Sequence, residues 1–211
     1  MGTPRLLVLF YPAFVQVEKE FAMPQLIRYF RCFGPQLTTE WQVFWFLSSI
    51  LFCVIALFYV QPRTRVSRLR AFACACAASY FLFIVIFTVF LRPTAETYRF
   101  NLTPFWSYEL LLAGRKGYRW AVIFNVAFFY PLGFLLSYAL GKERVKTALL
   151  VGFACSVSIE LLQLILKKGL CETDDVIHNT LGFTLGLVSF RIFLATAKFI
   201  NKKCGINFES P

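Results

Sequence analysis

Residues 147–166 read TALLVGFACSVSIELLQLIL, with one charged side chain, Glu160, in the whole run. A stretch of about 20 predominantly apolar residues is what crosses the roughly 30 Å hydrocarbon layer of a bilayer as a helix. Glu160 therefore falls inside a span, where a carboxylate costs about 2.5–3.5 kcal/mol on insertion scales. Ser156, four residues earlier, and Gln163, three later, share its helix face. Polar glue between helices accounts for Ser156 and Gln163, since such hydrogen bonds average about 0.6 kcal/mol in a membrane. It accounts poorly for Glu160, because an amide would serve without the charge. An intramembrane acid reads as a functional group by default.

Four further stretches qualify as spans on length and apolarity: residues 41–60, 71–91, 120–140 and 176–200. The expectation is an all-α, polytopic transmembrane helix bundle of about five spans, with a sixth from the N-terminus as the alternative. The composition agrees. Hydrophobic residues make up 58% of the 211 and charged ones only 16%, with 26 Phe. Soluble domains average about 45–50% apolar and about 25% charged. Disorder, collagen-like repeats and a soluble fold are thereby excluded. The net charge of +11 comes from 22 Lys and Arg against 11 Asp and Glu. In a membrane protein such an excess marks cytoplasmic flanks rather than a nucleic-acid partner.

Residues 1–40 read as an N-terminal interfacial segment, amphipathic or re-entrant. The apolar run at 6–17 is too short to cross, and Arg28 and Arg31 interleave with Ile27, Tyr29 and Phe30 in a surface-lying pattern. Residues 41–91 hold the first two spans, 92–200 a loop and three more, and 201–211 a tail. The basic segments 61–70 and 141–146 share one side with that tail by parity. Short basic loops belong in the cytoplasm, so the N-terminus is expected outside and the C-terminus, with its tail, in the cytoplasm. The seven cysteines form no ligand-spaced pair, so neither a metal nor a cofactor is expected.

Parity also sorts the polar residues. The loop at 92–119, the start of the third span, the end of the fourth and the start of the fifth all lie on one side. Arg99, Asn101, Asn125, Glu160, Gln163, Asp175 and Asn179 thus fall in one half of the bilayer. Glue would be scattered through the depth, so this clustering argues for one polar pocket toward the outer face. Asp175 and Asn179 share a face, which Gly182 and Gly186 continue as a close-packing pair. Asp174 and Thr173 read as the cap and dipole partners of the fifth span. His178, the one histidine, is a candidate for proton handling. Pro131 should kink the third span. Pro104, with Phe105 and Trp106, suits a surface or re-entrant loop with an interfacial aromatic belt.

Four motifs now stand in order: Asn101-Leu-Thr-Pro-Phe105; Asn125 ahead of Tyr130-Pro-Leu-Gly-Phe134; Ser158-Ile-Glu160-Leu-Leu-Gln163; and Asp175-Val-Ile-His-Asn179-Thr-Leu-Gly182. In order and spacing, across about residues 92–190, they resemble the VanZ-like family of bacterial integral membrane proteins. Glu172 stands where many members carry an acid three residues before the Asp. Arg99 lies two rather than three residues before the Asn. Lys167 and Lys168 stand where an arginine is common. The resemblance implies a bacterial plasma membrane, cell-envelope biology and an association with low-level teicoplanin resistance.

Three functions follow as expectations. The first is a membrane enzyme or binding site for a lipid-linked envelope molecule. There Glu160 and Asp175 are the catalytic candidates, Arg99 a phosphate holder, and Asn101, Asn125, Gln163, His178 and Asn179 substrate contacts. No nucleophile stands out beside the acids. The second is a transporter or flippase, for which Pro131 gives one broken helix. The third is an accessory protein that limits access of lipoglycopeptide antibiotics to the membrane. The partners in all three are membrane lipids, lipid-linked envelope precursors or the antibiotic itself.

Overall fold

The computed structural model describes residues 39–64, 66–115, 118–141 and 143–204. The reading of residues 1–38 and of the tail beyond 204 lies outside these described residues. Within them, five helices are long and apolar enough to cross a membrane: Thr39–Thr64 (α1), Arg68–Phe90 (α2), Tyr118–Leu140 (α4), Val145–Ile165 (α5) and Thr173–Ile200. The last is part of a longer helix, Thr173–Cys204 (α6). A short helix, Trp106–Leu112 (α3), lies in the loop between α2 and α4. Thr39 and Glu40, read above as the end of the N-terminal segment, belong to α1.

The bundle is built around α4 and α6, which make the most extensive contact. Their backbones meet without side chains between them. A Cβ on Gly182 would collide with the Val126 carbonyl, and one on Gly186 with the Tyr130 carbonyl. The Gly-x-x-x-Gly pair is therefore a packing device, as its spacing suggests. α4 stays helical through Pro131. α2 packs on the other side of α4, and α5 on α6. Ile84, Val89, Phe129, Ile159 and Phe183, each at most 2% exposed, fill the centre.

α1 is an outlier. Its main partner is α2, through Ala56 against Ala71 and Ala75, and the Trp45 indole N–H donates to the Ser79 carbonyl at 3.0 Å. Most of its apolar surface is left for lipid.

Two helices contain π turns, Ile55–Val60 in α1 and Ile86–Phe90 at the end of α2. Such widened turns recur at functional sites. The second delivers Thr88 and Arg92 toward the end of the bundle where the loops 91–117 and 166–172 lie. Two residues from each loop pair as parallel strands, Phe100–Asn101 (β1) with Cys171–Glu172 (β2). The opposite end of the bundle carries Arg63, Arg68, Arg70, Arg144 and Lys146.

Candidate functional site

The site grows from the first two turns of α6. Asp175 and Asn179, one turn apart, face inward between α2, α4 and α5. Asn125 of α4 donates its amide N–H to Asp175 Oδ1 at 2.5 Å. Asn179 donates to Ser156 Oγ at 3.1 Å. Glu160, 3% exposed, accepts the Glu172 backbone N–H on Oε2 at 2.9 Å. Gln163, 2% exposed, donates Nε2 to the Thr88 carbonyl at 3.3 Å. Thr88 offers its carbonyl there because the π turn displaces the local hydrogen-bonding pattern.

These side chains enclose one cavity. Its polar lining is Thr88, Arg92, Asn125, Glu160, Gln163, Asp175 and Asn179. Ile84, Phe128, Phe129 and Ile159 form the apolar remainder. Its volume is about 10 Å³, at the lower limit for a single water molecule. The acid at 160 is thus turned away from hydrocarbon and shares a cavity with the acid at 175.

The cation here is Arg92, not Arg99. Arg92 lines the cavity and its charge acts on Glu160, Asp175 and Glu172. Arg99 and Asn101 are instead engaged through the loop. The Arg99 carbonyl accepts the Cys171 N–H at 3.0 Å. Asn101 pairs with Glu172 in the strand register and closes an Asx turn, its Oδ1 accepting the Thr103 N–H at 3.0 Å. Neither lines the cavity. The reason is the short parallel pairing of β1 with β2, which commits residues 99–101 to the neighbouring loop.

Asp174 departs from the cap reading as well. It is 1% exposed and serves a different helix, α3. Its Oδ1 accepts the Phe105 N–H at 2.5 Å and its Oδ2 the Ser107 N–H at 2.9 Å, together with the Ser107 hydroxyl. Phe105, at the N-cap of α3, adopts φ 65°, a left-handed conformation rare for a bulky residue. Asp174 thus fastens the loop over the bundle. His178 faces the same way, its Nε2 2.9 Å from the Tyr108 hydroxyl, and does not line the cavity. Further ties come from the Ala95 N–H to the Lys167 carbonyl at 2.8 Å and from Lys168 Nζ to the Arg92 carbonyl at 2.9 Å.

Glu172 lies just outside the spans. Burial, then the charges of Asp175 and Asp174, push its carboxyl up to about 8, against the opposing pull of Arg92. Burial and the surrounding carboxylates push the Cys171 thiol up too, which disfavours the thiolate a nucleophile needs. Among the described residues no group of His, Cys, Asp and Glu is arranged to hold a metal ion.

Arg92 and Thr88 are the two polar cavity residues that sequence reading missed. A signal existed: Arg92 is the first charge after an uncharged span, one turn from Thr88.

Five apolar helices with polar groups gathered between them at one end define a multi-pass helical membrane protein. Within that class the chain is a member of the VanZ/LLP1 family, whose profile matches residues 44–194. The match begins inside α1, so it takes in the first two spans as well as the segment carrying the four motifs. Comparison with curated proteins and with solved structures returned no match.

Proposed function

We propose that the cavity binds or acts on a lipid-linked molecule of the bacterial cell envelope, at the outer leaflet of the plasma membrane. The observation that carries this reading is the convergence of Glu160 and Asp175 from two helices, and of Arg92 from the loop just after a third, on one cavity. Two acids and a cation in a water-poor setting form a general acid–base pair beside a holder for phosphate. The basic residues at the far end of the bundle support an external position for the cavity, with the C-terminus inside. Low-level teicoplanin resistance, the association carried by the family resemblance, fits a protein that alters or occupies an envelope lipid.

A cavity of about 10 Å³ admits one small group at a time. A whole headgroup reaches it when the loop fastened by Asp174 lifts. The test is teicoplanin susceptibility in cells expressing Glu160→Gln or Asp175→Asn at wild-type membrane levels. Both variants lose protection on this reading. Wild-type protection by both would overturn it.

A further inference from the structure

The donor and acceptor inventory of the cavity narrows what it takes. Glu160 uses one oxygen on the Glu172 N–H, and Asp175 uses one on Asn125. Both carboxylates also line the cavity. Gln163 supplies the independent observation. Its Oε1 is buried without any hydrogen-bond partner, in a side chain that lines the cavity. The amide cannot be reversed to relieve this, because Nε2 must face the Thr88 carbonyl, itself an acceptor. A buried acceptor left without a donor is costly, so the site is built for a donor that is brought to it.

Three acceptor-bearing side chains from α5 and α6 thus line a space the size of one water molecule. A primary ammonium has three N–H donors and that size. The neighbouring Arg92 favours an anionic group next to the amine. We propose that the cavity takes the primary ammonium of an amine-bearing phosphate headgroup, with the nitrogen among Glu160, Gln163 and Asp175 and the phosphate toward Arg92. This rests on the envelope-lipid reading above and names its ligand class. A quaternary ammonium has no N–H to give and is too wide, so the site discriminates by the number of methyl groups on nitrogen. A hydroxyl headgroup offers a single donor and satisfies one acceptor of three.

The experiment uses the full chain, purified and placed in nanodiscs. Bound lipid is measured by native mass spectrometry against mixtures of phosphatidylethanolamine, its N,N,N-trimethyl counterpart phosphatidylcholine, and phosphatidylglycerol. The expected result is preferential retention of phosphatidylethanolamine, reduced about tenfold or more by Glu160→Gln and by Gln163→Leu, since one charge-assisted hydrogen bond is worth about a factor of ten. Thermal unfolding of both variants in the same nanodiscs, unchanged from the wild type, controls for misfolding. Free phosphoethanolamine competing as well as the lipid would assign the site to a soluble amine rather than a headgroup, within the same ligand class. Equal retention of phosphatidylcholine, or of phosphatidylglycerol, in a manner sensitive to Glu160→Gln would overturn the ammonium assignment while leaving the lipid reading standing. Retention unaffected by any cavity variant would overturn both.

Discussion

Asp174 and Asp175 are neighbours in the chain at the first turn of one helix, and their fates differ. Asp174 is saturated. Its two oxygens accept from Phe105 and Ser107, and the loop carrying α3 hangs on them. Asp175 accepts from the Asn125 amide and lines the cavity. A helix turns about 100° per residue, so one step along the chain moves a carboxylate from a fastening to a binding wall. The lesson is to count what each acid accepts. A carboxylate whose two oxygens both hold distant backbone is structural, and one that lines a cavity is available to a ligand.

The contrast makes its strongest claim about stability. Asp174→Ala leaves the N–H groups of Phe105 and Ser107 buried without an acceptor and should destabilise by about 2–4 kcal/mol. Asp175→Asn retains the link to Asn125 and should cost less than about 1 kcal/mol. Thermal unfolding in detergent measures both, and equal losses would erase the distinction. A second variant separates packing from polar effects. Gly182→Val drives a side chain into the Val126 carbonyl and should cost about 1–3 kcal/mol through displacement of α4 from α6.

A third test uses Glu172, whose carboxyl is raised from 4.5 to about 8 by burial and by both aspartates. A raised value means that folding favours the protonated acid. Its contribution to stability is complete below about pH 4.5 and is lost as pH climbs to about 8. Thermal stability of the wild type should therefore decline over that window, and Glu172→Gln should flatten the decline. A small effect is expected at Ser107→Ala, about 1 kcal/mol, because Asp174 keeps both backbone donors. A larger loss there would shift the fastening from the backbone to the hydroxyl.

The spans were legible because twenty apolar residues in a row admit few other structures. The cavity was legible because chain parity places the ends of spans without any coordinates. Glu160, Gln163, Asp175, Asn179 and Asn125 all line it as that argument expects. What failed involves loops. Arg99 was read as the cation because it precedes the Asn101 motif, yet β1 commits that stretch to residues 171–172. Two-residue strands pairing across about seventy positions leave no periodic trace. Asp174 was read as a cap for its own helix because local rules see only local helices. Its partners lie 67 and 69 residues away. Arg92 was hidden by the widened turn before it, which no hydrophobic pattern announces.

That widened turn, residues 86–90 of α2, sets a phase. Deleting one residue from it would wind the segment back into ordinary α geometry and swing position 92 by about 100° around the helix axis. The guanidinium would leave the acids while the sequence around it stayed the same. The charge balance at the mouth of the bundle is thus fixed by a slip of backbone register as much as by any side chain, and a one-residue indel in that turn would change it without altering one polar residue.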